Sequence, residues 1–290
     1  MSKLELHISD YKHTMEYLAE HYDVLALGDE GCMYYVPLGE EALKLARKII
    51  NSGHMFKYVT PKVSDGNFTR LLETIRLFHI AELDYTIVIN DLGILYEASH
   101  QKILPKMVSL GRSIARTLQD TAWAEEFVDE KNGKIELLTN TLADSMKYKL
   151  FTKYGVNGMD ANLFENSSYG FQRLFDWGWN VSVHIRNYSI AFARKCAYAK
   201  YKKLNVGDCV GSCREGIDIS MDQICDFNEH RPCVNKLQAD IVDFTLIGNV
   251  LYRKNKAYLD LVKDSRIIYS YVIHDYELDD TDIDQIRALL

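Results

Sequence analysis

The sequence predicts an α/β protein, built as a closed (β/α)8 TIM-like barrel. About eight short apolar segments alternate with amphipathic helical segments, a pattern typical of a parallel sheet. Polar residues follow the ends of most apolar segments, at the rim where such barrels carry their active sites. The 290 residues suit one large domain, so a closed barrel is favoured over the alternative, an open doubly wound sheet.

Five strands are predicted in the first part of the chain, at 4–8, 24–27, 55–59, 85–89 and 107–110. Asp10 is predicted to cap a helix over about 11–22 and Asn67 to cap another, while Gly53 ends a third. Residues 92–101 are also predicted to be helical. These helices separate successive strands, as the barrel requires.

The rest of the chain completes the barrel. Residues 114–154 are predicted to be mainly helical, and strands are predicted at 156–160, 180–185 and 267–273. An apolar stretch over 241–252 indicates a hairpin. The whole chain, 1–290, is interpreted as a single barrel domain, in which residues 188–240 form a cysteine-rich insertion after the seventh strand.

The predicted strand ends bring nine polar residues to one rim: Cys32, Thr60, Asn90, Asp91, Arg112, Ser113, Asn162, His184 and Arg186. Five of them are candidate substrate-binding residues: Arg112, His184, Arg186, Asn90 and Asp91. An arginine can grip a carboxylate through two hydrogen bonds, although a structural salt bridge is the alternative. For Asn90 and Asp91 the alternative is capping of the next helix. No catalytic residue is assigned.

Cysteines are unevenly distributed along the chain. Five of the six fall between Cys196 and Cys233, and the sixth is Cys32. Cys196, Cys209 and Cys213 have twelve and then three residues between them, and Gly207 and Gly211 allow tight bends. Thiolates bind zinc or iron–sulfur clusters, usually through four protein ligands. The fourth ligand would be Cys32, Cys225 or Cys233, and the choice of metal stays open on the residues alone.

Composition excludes several classes of protein. The net charge of −7 argues against a nucleic-acid-binding protein, which usually carries a basic face. The first residues lack the apolar run of a signal peptide, and no apolar run is long enough to span a membrane, so a cytoplasmic protein is expected. The chain has neither a His-Glu-x-x-His motif nor a recognisable nucleophile–histidine spacing, which disfavours a peptidase.

Two segments of the cysteine-rich region resemble the signature of the collagenase-like peptidase family U32. They are Arg194-Lys195-Cys196-Ala197-Tyr198-Ala199 and Asn205-Val206-Gly207-Asp208-Cys209-Val210-Gly211-Ser212-Cys213-Arg214. Leu27-Gly28-Asp29-Glu30-Gly31-Cys32 and Asn90-Asp91-Leu92-Gly93 are similar to two further family segments. Within the family, the closest resemblance is to the small iron–sulfur subunits of paired oxygen-independent hydroxylases of ubiquinone biosynthesis.

This resemblance implies a barrel that holds a four-iron four-sulfur cluster through Cys32, Cys196, Cys209 and Cys213, with Cys225 and Cys233 outside the ligand set. It implies a hydroxylase, or a subunit of one, that acts on a small-molecule or carrier-bound biosynthetic substrate with prephenate as oxygen source. A heterodimer with a second family member is also implied. Alternatives are a non-catalytic cluster-bearing partner subunit, an RNA-modifying hydroxylase or a peptidase. The chain departs from the family at Met159-Asp160-Ala161-Asn162, where relatives carry a glutamate.

Overall fold

Eight parallel strands close into a barrel. They are β1 (Lys3–Ile8), β2 (Val24–Gly28), β3 (Met55–Thr60), β4 (Thr86–Ile89), β5 (Met107–Leu110), β6 (Gly158–Asn162), β7 (Asn180–His184) and, after a second sheet, β12 (Ile268–His274). Strand β12 pairs in parallel with both β7 and β1, which closes the ring. The predicted barrel is therefore confirmed. This computed structural model describes residues 2–18, 21–116, 139–164, 168–205, 209, 211–219, 244–255, 258–263, 265–277 and 280–290.

Helices follow most barrel strands. They are α1 (Gly39–Asn51), α2 (Asp65–Ile80), α3 (Leu92–His100), α4 (Ser145–Lys153), α5 (Ser168–Asp176) and α8 (Asp280–Leu289). Between β1 and β2 the predicted helix over 11–22 is only a short 3-10 helix, Tyr11–Glu16. Asp10 caps it as predicted, accepting a hydrogen bond from the backbone N–H of Lys12. Asn67 does not cap α2 as predicted, because that helix already begins at Asp65.

A second sheet lies between β7 and β12, at the place predicted for the cysteine-rich lobe. Its antiparallel strands are β8 (Asn187–Phe192), β9 (Ile217–Ile219), β10 (Phe244–Ile247) and β11 (Val250–Lys254), in the order β8-β11-β10-β9. Strands β10 and β11 are the predicted hairpin. The lobe also contains the short helix α6 (Ala197–Tyr201), and α7 (Tyr258–Leu261) leads into β12. The predicted helical stretch over 117–138 lies outside the described residues.

The alternating side chains of the barrel strands divide the interior into two environments. One set, which includes Leu6, Leu25, Tyr58 and Val183, joins the helices in a large apolar core. The other set points into the barrel. Ala26, Val59 and Val88 form a small apolar cluster there. Nine other inward positions are polar and buried: Glu5, His7, Lys57, Ser109, Asp160, Ser182, His184, Ser270 and His274. Barrels of this class usually fill this space with branched apolar residues.

None of the helices in the described part of the chain is long and apolar enough to cross a membrane.

Candidate metal centre

Cys32 lies directly beyond the carboxyl end of β2, at the start of a short 3-10 helix over Met33–Tyr35. The loop that carries it is fixed by Asp29, whose Oδ1 accepts hydrogen bonds from the backbone N–H groups of Gly31 at 2.8 Å and Cys32 at 2.7 Å. Because both bonds are local, the sequence Asp-x-Gly-Cys places the thiol at the rim without help from the lobe.

The lobe brings Cys213 to the same rim. Cys213 lies on a 3-10 helix over Ser212–Glu215, which Gly211 enters in a left-handed conformation with φ +76°. Its Sγ lies 3.7 Å from the hydroxyl of Tyr35, which also donates to the carbonyl of Gly211. A side chain at Gly211 would overlap Tyr35, since its Cβ would lie 2.7 Å from that hydroxyl. The barrel loop and the lobe therefore pack closely at Cys213.

Cys196 begins helix α6 and accepts a hydrogen bond on Sγ from the N–H of Ala199 at 3.3 Å. The same Sγ lies 3.7 Å from the carbonyl oxygen of Gly248, in the turn between β10 and β11. A Cβ placed on Gly248 would lie 3.8 Å from the Sγ of Cys213 and 3.8 Å from the Cβ of Cys32. The turn thus joins three cysteines that come from distant parts of the chain.

Cys209 is exposed, and its neighbours 206–208 and 210 lie outside the described residues. Cys225 and Cys233 lie outside them as well. Of the four predicted ligands, the described structure brings Cys32, Cys196 and Cys213 together and gives no contact that would place Cys209 with them. The four-ligand set accordingly stays a prediction.

The spread of the thiols bears on which group could bind. Among the described residues, the sets of three His, Cys, Asp or Glu ligand atoms within 4.8 Å of one another contain no cysteine. Thiolates on a single tetrahedral zinc ion lie about 3.8 Å apart. A four-iron cluster separates its thiolates more widely, because each one binds a different iron atom. The three gathered thiols are therefore spread more widely than the ligands of a single zinc ion.

Burial also affects the thiols themselves. It raises the pKa of Cys32 to about 12, helped by the charge of Asp29, and it raises the pKa of Cys213. Arg214 covers the site beside them, with its guanidinium carbon 3.4 Å from the centre of the Tyr35 ring and Nη1 3.6 Å from Asp29. Its other nitrogen, Nη2, donates to the backbone carbonyl of Ser9 after β1. The arginine thereby ties the lobe to the barrel.

Arg112, a predicted substrate-binding residue, forms an ion pair with Glu30, which the sequence analysis did not predict. Its guanidinium binds Glu30 through Nη2–Oε2 at 2.6 Å and through Nε at 3.0 Å, and both side chains are buried. It also donates through Nη1 to Asn162 at 3.1 Å and to the backbone carbonyl of Asn187 at 2.8 Å. These contacts correspond to the salt-bridge alternative.

The side chains of Asn90 and Asp91 both form hydrogen bonds with backbone groups. Asn90 donates from its amide to the carbonyl of Thr60 at 2.9 Å and accepts from the N–H of Ser113 at 3.1 Å. Asp91 caps α3, accepting from the N–H of Gly93 at 2.8 Å. Arg186 lies apart from this group, with its guanidinium carbon 5.4 Å from the centre of the Tyr258 ring.

His184 belongs to the polar interior, which sequence reasoning did not predict. Lys57 lies at the centre of this network, with Nζ 2.7 Å from Glu5, 3.4 Å from Asp160 and 3.2 Å from the hydroxyl of Ser182. Against the opposing effect of burial, Lys57 and then His7 hold the pKa of Glu5 down to about 2. Burial raises the pKa of Asp160 to about 6. These residues alternate with apolar ones along their strands, but the same alternation is typical of a strand with one face in water.

Comparison with known proteins finds one distantly similar solved structure. No family model matches the chain, and no curated protein matches it. Among solved structures, the chain is similar to one described as "The Structure of the U32 Peptidase Mk0906", with 10% sequence identity over 94% of this chain and 92% of that chain and a TM-score of 0.43. Values this low carry no inference about the function of this chain.

Proposed function

We propose that this chain is an iron–sulfur protein of an oxygen-independent hydroxylation system. It would act in the cytoplasm on a small-molecule or carrier-bound biosynthetic substrate, with prephenate as oxygen source and a second member of the family as heterodimer partner. The observation that carries the proposal is the meeting of Cys32, Cys196 and Cys213 at the Gly248 turn, although 163 residues separate Cys32 from Cys196 in sequence.

In this proposal Cys32, Cys196, Cys209 and Cys213 hold a four-iron four-sulfur cluster. When bound, such a cluster would supply electron transfer or an open iron site for the oxygen source. Side chains of the protein would shield the cluster. Tyr35 and Arg214 cover Cys213, and Tyr35 directs its hydroxyl at the thiol. Such a shell controls access of water to a metal site.

A basic cluster on the lobe side of the rim supports an anionic substrate. The ammonium of Lys62 lies 5.7 Å from the centre of the Phe192 ring, and the guanidinium carbon of Arg116 lies 6.0 Å from the same centre. Burial lowers the pKa of Lys62, with further contributions from Arg116 and Arg194 that Asp91 only partly opposes. In the described part of the chain none of the three cations forms an ion pair within 4.0 Å. They suit a dicarboxylate better than Arg112 does.

The alternative, a non-catalytic partner subunit, is favoured by a different observation. All five predicted substrate-binding side chains make contacts within the chain. Arg112 binds Glu30, and His184 contacts His274. Asn90 bonds to the backbone, Asp91 caps α3, and Arg186 lies over the Tyr258 ring. A subunit that only carries the cluster would need no convergent polar groups at the rim. The basic cluster distinguishes the two functions, because only a substrate-binding chain would depend on it.

Metal content tests the cluster. Protein purified without oxygen is expected to be brown and to contain about four irons per chain. Cys196→Ala and Cys209→Ala should each lose most of the iron, whereas Cys233→Ala, the matched control, should retain it. Colourless protein with one equivalent of zinc, or iron retained by Cys209→Ala, would refute the proposed ligand set.

Substrate binding is tested separately. Prephenate should bind the iron-loaded protein, alone or with its co-purified partner, and the double variant Lys62→Gln, Arg116→Gln should weaken binding at least tenfold. An exposed lysine far from the rim, in Lys44→Gln, is the matched control. Equal binding by the double variant would favour the non-catalytic subunit.

A further inference from the structure

Three histidines meet inside the barrel at the ends of β1, β7 and β12. One ring nitrogen from each of His7, His184 and His274 lies within 4.8 Å of the other two, and the ring centres are 4.9 to 5.1 Å apart. All three side chains are buried. They are distinct from the cysteine centre and take no part in the proposed hydroxylation. Because they are 177 and 90 residues apart in sequence, no local motif announces them.

In two of the rings, His7 and His184, the Nε2 atom lies close to a carboxylate. His7 Nε2 lies 3.0 Å from Glu5 Oε1, so that Nε2 donates the hydrogen bond in the neutral ring and Nδ1 keeps the lone pair. His184 Nε2 lies 3.6 Å from Asp160 Oδ2 and 3.8 Å from Glu30 Oε1, without a hydrogen-bond partner although it is buried. Histidines that bind metal ions commonly present their second nitrogen to a carboxylate in this way.

The spacing between the rings is close to that of metal ligands. His184 Nδ1 and His274 Nε2 are 3.0 Å apart, and two imidazole nitrogens on one tetrahedral ion would lie about 3.3 Å apart. A plain hydrogen bond between the rings is the alternative. Arg112 Nη2 lies 3.4 Å from the same His274 nitrogen but makes a shorter contact, 2.6 Å, with Glu30. A cation at the rings therefore competes with one long arginine contact.

The buried charges of the network around the rings do not balance. Glu5, Asp160 and Glu30 face two cations, Lys57 and Arg112, so the buried network carries one more carboxylate than it has cations.

We propose that His7, His184 and His274 bind one divalent transition-metal ion inside the barrel. Imidazole suits zinc, iron, nickel and copper, and a positive ion would offset the excess carboxylate. Glu5 and Asp160 would orient the rings from behind. The ion would tie three strands together at the end of the barrel nearest the lobe, since β12 also pairs with β1 and β7.

Zinc is a suitable probe once the cysteine centre has been removed. The full-length protein in which all four cysteines are changed (Cys32→Ser, Cys196→Ser, Cys209→Ser and Cys213→Ser) is incubated with zinc and desalted, and the retained metal is measured. About one zinc per chain is expected, with an X-ray absorption spectrum that fits nitrogen or oxygen ligands at about 2.0–2.1 Å and no sulfur at about 2.3 Å. Zinc at a hundredfold excess over its Kd should raise the Tm by about 4 °C.

Variants identify the ligands. His184→Gln in the same background should lose the zinc and the Tm increase, and His79→Gln, which changes an exposed histidine on α2, should keep both. The proposal is overturned if the background protein retains no zinc, if the spectrum shows sulfur ligands, or if His184→Gln still binds one equivalent. Should His184→Gln fail to fold, the spectrum of the histidine-intact protein decides alone.

Discussion

Lys57 gives the sharpest test of the polar barrel interior. Its ammonium is buried with Glu5 at 2.7 Å and Asp160 at 3.4 Å, and both carboxylates are buried as well. Replacement by methionine keeps most of the apolar stem of the side chain and removes the ammonium together with its hydrogen bonds. Two carboxylates would then remain inside the barrel without their shared cation.

The expected loss follows from this arrangement. Removing one partner of a buried ion pair costs about 3–5 kcal/mol, because the other charge stays buried and unpaired. For 290 residues the entropy of unfolding is about 0.6 kcal/mol per degree, so Lys57→Met should lower the Tm by about 5–8 °C at pH 7. In the control variant Lys44→Met, at an exposed position, the free energy of unfolding should stay within about 0.5 kcal/mol of that of the parent protein.

The pH dependence distinguishes charge from packing. Without Lys57, burial raises the pKa of both carboxyl groups, so the folded variant takes up protons as the pH falls and part of its cost is relieved. The difference in unfolding free energy between parent and variant, measured by urea titration, should therefore narrow between pH 7 and pH 5. A difference below about 1 kcal/mol at pH 7, or one that stays constant to pH 5, would refute the charged, dry interior.

Three further outcomes are expected. The protein should lose stability as the pH falls below 6.5, by about 1.4 kcal/mol per pH unit. On unfolding, the buried His184 and His274 would each take up a proton, whereas Asp160 would release the one that it binds near pH 6. Urea titration of His274→Gln should show a flatter dependence of stability on pH, and an equally steep one would contradict this assignment. Gly28→Ala should prevent folding or cost several kcal/mol, since φ is +116° and the new Cβ would lie 2.0 Å from the carbonyl oxygen of Val59. The control Gly66→Ala, in α2 and with open space around it, should leave the Tm nearly unchanged. Tyr35→Phe should release iron faster than Tyr34→Phe, because only Tyr35 contacts Cys213; equal iron loss would show that the hydroxyl does not matter.

The barrel was predictable because its signals are local. Each strand is a short apolar run, and most helices end in recognisable caps or glycines, so strand bounds agree with prediction to within about two residues. The exceptions have physical causes. The segment after β1 forms only a 3-10 helix over Tyr11–Glu16. Strand β6 begins two residues later than predicted because Val156 packs in the helical core and Asn157 bonds to the preceding strand instead.

The interior of the barrel was not predictable in the same way. Alternation of Leu4, Glu5, Leu6, His7 and Ile8 usually indicates a strand with one face in water. Only closure of the sheet places that polar face inside, next to residues from strands more than 100 positions away. Glu30 was missed for a related reason. Its partner, Arg112, lies 82 residues further along the chain, so no local pattern links the two.

Glu30 connects the two parts of the molecule that the sequence presents separately. It lies two residues before Cys32, yet its side chain points into the barrel and binds Arg112, which in turn holds the backbone of Asn187 at the start of the lobe. The loop that carries the first cysteine and the lobe that carries the others are therefore both fixed to one buried ion pair. Preorganised ligands need such a supporting shell. The polar interior, which costs stability compared with an apolar one, is in this arrangement the support that keeps the cysteines of two distant segments at a single turn.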